Sequence, residues 1–404
     1  MTEWTEYELG QLLSYEQPTP FIVESANYND KFEIPVLTAG KSFIIGYTDE
    51  KEGIYDTLPV IIFDDFTTST QYVNFPFKVK SSAMKILTPN ENVVLPKFVY
   101  YRMQVIEFDY STHKRYWIQQ YSKLKIKIPS IEEQKRIVDR VEELFSKLDK
   151  CVETLKVTKA QLTVYRQAVL KEAFEGKWHY SNRHQPETDL QFDSIKVSEL
   201  DKLEEIPCEW KYVYLSSLGE LSRGRSKHRP RNDKRLFENG KYPFFQTGDV
   251  KAARDHLVVC DKMYGEFGLE QSRLWPAGTL CITIAANIAE TCFLGVDGCF
   301  PDSIVGFTAD EKIVNKEYIR FFIEASKKRL WAFAPATAQK NINLTTLENL
   351  IVPYCTLDEQ EYIVGEIKAR LSVCDRIEQT VDTALQQVEA MRRSILKQAF
   401  EHLC

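Results

Sequence analysis

The sequence predicts an α+β protein. Two mixed α/β modules are separated by two long helices that form an intramolecular antiparallel coiled coil, and the halves are related by a pseudo-two-fold axis. Three observations carry this prediction. A stretch near residues 131–175 recurs near 357–401 without a gap, at a constant offset (360 − 134 = 226). Each copy carries apolar residues at alternating three- and four-residue steps, the a/d pattern of a coiled-coil seam. The segments ahead of the copies hold strand-like runs punctuated by turn residues.

The first module is expected over 1–128. Strand signals fall at 32–37, 42–47, 60–63, 72–79 and 83–87, a short helix at 97–107, and a last run at 124–128 leads into Pro129. The first long helix is expected over 129–178. Its seam is Ile137, Val141, Leu144, Leu148, Cys151, Leu155, Leu162, Tyr165 and Val169, broken by Thr158. At 1.5 Å per residue, about 43 residues make a rod roughly 65 Å long. Residues 179–206 are polar, contain Pro186 and read as a linker. The second module, 207–352, repeats the style of the first: Tyr242-Pro-Phe-Phe-Gln-Thr-Gly248 echoes Ile34-Pro-Val-Leu-Thr-Ala-Gly40. Strands are expected at 242–246, 257–259, 279–284, 291–294 and 303–307, and a helix at 316–333. The second long helix, over 353–404, repeats the seam with Ile363, Ile367, Cys374, Ile377, Val381, Ala384, Val388, Met391 and Ile395, broken at Arg370.

Identical pairs such as Gln134/Gln360, Asp149/Asp375, Arg166/Arg392 and Phe174/Phe400 mark an internal duplication. The period is far too long for a solenoid. The alternative is that each helix packs on its own module. Globular helices average about 11–12 residues, so two equal, narrow-seamed helices in one chain are better satisfied by each other.

The 404 residues carry a formal charge of −6, so nucleic-acid binding must rest on local patches. Nine cysteines without Cys-x-x-Cys spacing, and six scattered histidines, argue against zinc and for reduced thiols in a cytoplasmic protein. Residues 1–10 carry three glutamates and no apolar core, so no signal peptide is expected.

The strongest local charge is in Arg223–Arg235. Arg223, Arg225, Lys227, Arg229, Arg231, Lys234 and Arg235, with His228, face the single acid Asp233. Guanidinium forks suit phosphate oxygens and guanine edges, and such a loop in an acidic protein points to a polyanion partner. A solvated charged loop is the plain alternative. In the first module Thr67, Thr68, Ser69, Thr70 and Gln71, then Lys78 and Lys80, and Lys114 and Arg115 beside Tyr116 and Trp117, offer polar and cationic contacts. In the second, Gln246, Asn287, Gln339, Lys340 and Asn341 do the same, though ordinary turns explain them equally well. Catalytic signatures fail. Gly40-Lys-Ser42 lacks the upstream Gly of a P-loop, because Pro35 stands there. Asn74-Phe-Pro-Phe77 has Phe75 where an amino-methyltransferase loop has Pro. Pro301-Asp302 with Glu366 and Lys368 would place half of a nuclease pattern on the coiled coil. Every common catalytic motif is missing, and no zinc site is expected.

Several segments together resemble the specificity (S) subunit of type I restriction-modification systems. Ile128-Pro-Ser-Ile-Glu-Glu-Gln134 and Val352-Pro-Tyr-Cys-Thr-Leu-Asp-Glu-Gln360 look like that family's entry into each helix. Leu170-Lys-Glu-Ala-Phe-Glu-Gly176 is similar to the helix exit, Ile206-Pro-Cys-Glu-Trp210 to the opening of a second module, and Thr279–Thr291 to a segment common in these domains. The first module departs from the pattern by starting at Trp4 without the Pro lead-in. The resemblance spans essentially the whole chain. It implies that each module is a target recognition domain reading one half of a bipartite double-stranded DNA site. It implies that the helices set the spacer and dock two modification (M) subunits, which supply S-adenosylmethionine and adenine-N6 methyl transfer. Restriction (R) subunits using ATP and Mg²⁺ join where a system has them. Two other classes stay open: a self-contained methyltransferase or nuclease with a divergent site, and a coiled-coil adaptor that binds only protein.

Overall fold

The computed structural model describes residues 4–38, 42–108, 115–179, 191–201, 203–253, 255–333 and 341–401. The chain divides into two compact units, and the division cuts through both long helices. Unit 1 joins residues 1–158 to 380–404, and unit 2 is 159–379. Each unit is thus a module plus the start of one long helix and the end of the other.

Unit 1 holds, in order, β1 (Thr5–Glu8), α1 (Leu9–Leu12), β2 (Leu13–Glu16), β3 (Ile34–Leu37), β4 (Ile44–Thr48), β5 (Val60–Asp64), β6 (Thr70–Val73), β7 (Lys78–Val79), β8 (Met84–Pro89), α2 (Pro96–Met103), β9 (Lys125–Ile128) and the first part of α3 (Ile131–Phe174). The main sheet runs β2-β8-β5-β6, a smaller one β4-β3-β7, and β1 pairs with β9. β5 is buried along its whole length. Its alternating side chains feed two cores. Ile61 and Phe63 join Leu87, Phe98, Val141 and Leu396, while Val60 and Ile62 join Leu37, Phe77 and Ile86. The expected strand over 72–79 splits in two around Pro76, which cannot donate to a ladder. Pro96 opens α2, where its fixed φ is already helical.

Unit 2 holds α4 (Val197–Leu200), β10 (Lys211–Tyr214), β11 (Gly219–Arg223), β12 (Tyr242–Pro243), α5 (Thr247–Ala252), β13 (His256–Leu257), β14 (Met263–Tyr264), α6 (Glu266–Glu270), β15 (Leu280–Thr283), β16 (Thr291–Leu294), β17 (Ile304–Ala309), α7 (Lys316–Ala325), α8 (Lys327–Phe333), α9 (Leu344–Glu348), β18 (Ile351–Tyr354) and the first part of α10 (Leu357–Glu401). Its main sheet, β11-β17-β15-β16-β13, has the same core order as that of unit 1 with one strand added, and β10 pairs with β18 as β1 does with β9. β15 divides its side chains as β5 does. Leu280 and Ile282 face the core that contains Phe174 and Ile367, and Cys281 faces one with Trp275 and Phe300. The helix expected over 316–333 is interrupted at Ser326.

Within unit 1, Leu396 and Phe400 near the end of α10 share a core with Ile137 and Val141 near the start of α3. Within unit 2, Leu170 and Phe174 share a core with Ile363 and Ile367. In each unit the segments run antiparallel, and the ion pairs are reciprocal. Arg392 pairs with Asp149 in unit 1, and Arg166 pairs with Asp375 at 2.6 Å in unit 2. These are the same positions exchanged between copies. Gly176, with φ +71°, ends α3, and its backbone N–H donates to Ala173 O.

The inward face is not the expected one throughout. Ile137, Val141, Leu162, Ile363, Ile367, Val381 and Val388 are buried, and Leu144, Leu148, Leu155 and Ile395 are half-buried. Ile377, however, is 39% exposed. Cys151, Tyr165 and Met391 are exposed as well. The second inward column falls one residue later in both copies, at Phe145, Val152, Lys159 and Arg166 in α3 and at Leu371, Glu378, Leu385 and Arg392 in α10. Several of these positions are charged, so a count of apolar spacings passes over the column.

A glutamine fastens each helix to its module. Gln134 Nε2 donates to Val93 O and Pro129 O, both at 3.0 Å, and its Oε1 accepts from Leu95 N at 2.8 Å. Gln360 Nε2 donates to Ile313 O at 3.2 Å and Cys355 O at 2.8 Å, and its Oε1 accepts from Asn315 N at 2.8 Å. Both are fully buried.

Candidate nucleic-acid interface

The basic loop of unit 2 leaves β11 at Arg223 and is built rather than freely solvated. Gly224 N donates to Ile304 O, Arg225 N to Phe300 O, and Lys227 N to Gln271 O. Gly224 lies so close to Phe300 and Pro301 that a Cβ would meet their carbonyl oxygens at 2.4 Å. Ser272 Oγ donates to Arg225 O at 2.7 Å.

The side chains of the loop divide by what holds them. Arg229 Nη1 donates to Ser226 O at 2.7 Å and His228 O at 2.8 Å. Arg231 pairs with Asp302 at 2.9 Å, and Arg223 Nε donates to Asp302 O at 3.1 Å. Asp233 accepts from Arg235 Nη2 at 2.7 Å and Arg235 N at 3.0 Å, and His228 Nε2 lies 2.7 Å away. The Arg235 side chain, then its backbone N–H, then His228, hold the Asp233 carboxyl well below the usual carboxylate range. Arg235 also lies over the Phe267 ring, 5.3 Å from its centroid. Arg225, Lys227 and Lys234 are exposed, and no carboxylate among the described residues pairs with them. The tethered arginines shape the loop and the three free cations are presented by it.

Gln246 lies against the loop, lining a cleft with Arg231 and Asn232. Gln246 precedes α5 and its backbone N–H donates to Asp249 Oδ2 at 2.6 Å. Lys251 on α5 donates to Asn287 Oδ1 at 3.4 Å. Asn287 sits in the turn between β15 and β16, where Ala286 and Ala289 take positive φ of 62° and 61°. Ala285 in that turn bridges to Asn341. Gln339 and Lys340 lie outside the described residues.

Unit 1 presents less. Thr67 and Ser69 are exposed and Thr68, half-buried, has φ 59° in the turn between β5 and β6, the counterpart of the Asn287 turn. Asp64 organises that turn by accepting from Phe66 N at 2.9 Å and Thr67 Oγ1 at 2.7 Å. Gln71 is exposed, but Thr70 points inward and is 9% exposed. Lys78 is a correction. It is 3% exposed, donates to Glu52 O at 2.6 Å and pairs with Glu50 at 2.8 Å, so it braces the fold rather than facing a ligand. It lies within the strand expected over 72–79, and both residues of β7 are buried. Lys80 and Arg115 are exposed, and Lys114 lies outside the described residues. Lys251, beside Asn287, and Lys262, which lines a cleft with Asn232 and Gln246, carry no sequence signal because neither stands in a charge run.

Among the described residues no three His, Cys, Asp or Glu side chains converge as a metal site would, and no helix is long and apolar enough to cross a membrane.

Comparison with known proteins follows this architecture. The chain is 31% identical over 386 residues to the specificity subunit of the type I restriction enzyme EcoR124I/EcoR124II of Escherichia coli, covering 90% of this chain and 85% of that one. Among solved structures, a chain described under complex assembly and conformational transition of the type I R-M system superposes with a TM-score of 0.67 at 16% identity, covering 99% of this chain and 98% of the other. The HsdS subunit from Thermoanaerobacter tengcongensis superposes with a TM-score of 0.55 at 16% identity, covering 98% and 96%. The model of the type I restriction modification DNA specificity domain matches residues 1–163 and again 207–387, once on each half of the duplication, and the chain belongs to that family.

Proposed function

We propose that this chain is the DNA sequence-recognition subunit of a type I restriction-modification complex. Each module reads one half of a bipartite double-stranded DNA target. The long helices set the spacer between the halves and dock two methyltransferase (M) subunits. Those subunits bring S-adenosylmethionine and transfer its methyl group to adenine N6. Restriction (R) subunits, with ATP and Mg²⁺, add cleavage where the system has them. The chain supplies no catalytic group. The observation that carries this reading is one sheet topology and one glutamine clamp built twice around different loops. A duplicated frame with divergent loops is what reading two unlike half-sites needs.

DNA contact in unit 2 is assigned to Arg225, Lys227 and Lys234 for phosphates, with Arg223, Arg229, Arg231, Arg235 and His228 shaping the loop, and to Gln246, Asn287 and Asn341. In unit 1 it is assigned to Thr67, Thr68, Ser69, Gln71, Lys80 and Arg115. Genome-wide mapping of N6-methyladenine with and without the gene tests the reading. A bipartite motif that vanishes with the gene is expected, and an unchanged methylome overturns it. Replacing residues 207–352 by the corresponding segment of another family member should change one half-site and leave the other.

A further inference from the structure

Beside the basic loop, unit 2 has a cleft of about 320 Å³. Its apolar wall is Phe244 and Pro301. Phe244 is fixed by stacking on Tyr264, with ring centroids 4.1 Å apart. Its rim is made by Arg231, Asn232, Gln246, Thr247, Lys262 and Ser303, from four separate stretches of chain. Arg231 is held in place by Asp302.

The rim chemistry separates two kinds of DNA contact. A phosphate offers only acceptors, so a phosphate site needs donors alone. Asn232, Gln246, Thr247 and Ser303 each carry an acceptor as well as a donor. Their donors can contact phosphates as well, but their acceptors gain nothing there. Those acceptors are useful toward the exocyclic amino groups of adenine and cytosine, and Asn or Gln can pair both N6 and N7 of adenine. Lys262 and Arg231 add donors suited to guanine O6 and N7. The unpaired cations Arg225, Lys227 and Lys234 do not line this cleft.

Resting on the proposed function, we infer that this cleft is the base-reading site of unit 2: it takes base edges in the major groove, through Asn232, Gln246 and Lys262, while the free cations of the neighbouring loop hold the phosphates. The two sets then fail in different ways when removed.

The test uses the complete complex with its M subunits. Methylation is measured on a duplex library in which each position of both half-sites is varied. Gln246→Ala, Asn232→Ala and Lys262→Ala are each compared with Lys227→Ala and Lys234→Ala, and thermal unfolding confirms that each variant is folded. For the cleft variants, roughly 5- to 150-fold loss of discrimination is expected at one or two positions of a single half-site, the range of one bidentate base contact. The loop variants should weaken all sequences alike and lower the salt dependence. If all three cleft variants keep every preference, or lose affinity uniformly, the cleft is not a base-reading site, although the wild-type library still shows a bipartite target. If the wild-type complex shows no bipartite preference, the proposed function itself fails.

Discussion

The same connection of the fold is built with opposite charge in the two units. In unit 2 it leaves β11 and reaches β12 through residues 224–241, carrying six of the seven loop cations. In unit 1 it leaves β2 and reaches β3 through residues 17–33, where Lys31 stands against Glu24, Asp30 and Glu33. The entry into each long helix shows the reverse: Gln134 and Gln360 make the same three hydrogen bonds to equivalent backbone groups. The duplication kept what positions a module on its helix and released what the module displays. The two units therefore need not meet DNA through the same segment.

The largest test of this contrast is the clamp. Gln134→Ala and Gln360→Ala each leave one buried N–H and two carbonyls without their partner, which should cost about 2–4 kcal/mol apiece. Urea unfolding of the two variants should show losses of similar size. A loss confined to one copy would mean that the framework has diverged as far as the loops.

The next effect lies in the connections themselves. Arg225→Ala should weaken DNA binding by the complete complex and reduce the salt slope by about 1. Arg229→Ala should also weaken binding, but with loss of loop order, because that side chain ties down two carbonyls of its own loop. Lys31→Ala should leave the slope unchanged. A slope that falls equally for Lys31→Ala and Arg225→Ala would erase the contrast between the units.

The sequence revealed the frame more readily than the site. The offset of 226 and the Pro…Glu-Gln entries marked both helices, and β16 falls where its β-branched and aromatic run stands. The inward column was misplaced because Lys159, Arg166, Glu378 and Arg392 occupy it, and charged residues do not register in an apolar period. Charge density found Arg223–Arg235 but could not tell tethered arginines from free cations, since Asp302 lies 71 residues from Arg231. Lys78 looked like an exposed cation until the fold placed Glu50 beside it. Local pattern conveys periodicity and composition; which cation is already paired depends on contacts distant in sequence.

A smaller effect is expected along the helices. Arg166 and Arg392 are about a quarter exposed, at 26% and 27% of the side chain. Asp375 and Asp149 are about two-thirds exposed, at 66% and 65%, and Glu378, the second partner of Arg166, is 41% exposed, so solvent screens each pair and Arg166→Ala or Arg392→Ala should cost only about 0.5–1 kcal/mol. Equal losses in chemical unfolding would support the equivalence of the two copies, and a loss several times larger in one would break it.

The smallest effect concerns pH and brings the two connections together again, because each is pinned by a carboxylate. Asp233 accepts Arg235 N within the basic loop. Glu50 accepts Ser25 N at 2.9 Å and Glu24 N at 3.0 Å in the unit 1 connection. For Glu50, burial pushes the carboxyl up, but Lys78 and those two N–H groups outweigh it and leave the group below its ordinary value of 4.5. For Asp233, Arg235 and His228 lower the carboxyl much further below its ordinary 3.8. A carboxylate lowered on folding contributes stability that is present above its unfolded pKa and disappears as pH falls through the folded one. Both pins should therefore hold at neutral pH and loosen only in acid, with Glu50 releasing first. Amide exchange followed as the pH is lowered into acid should show Ser25 losing protection before Arg235 does. Release of Arg235 before Ser25 would show that the basic loop, despite its dense pairing, is the less firmly pinned of the two connections.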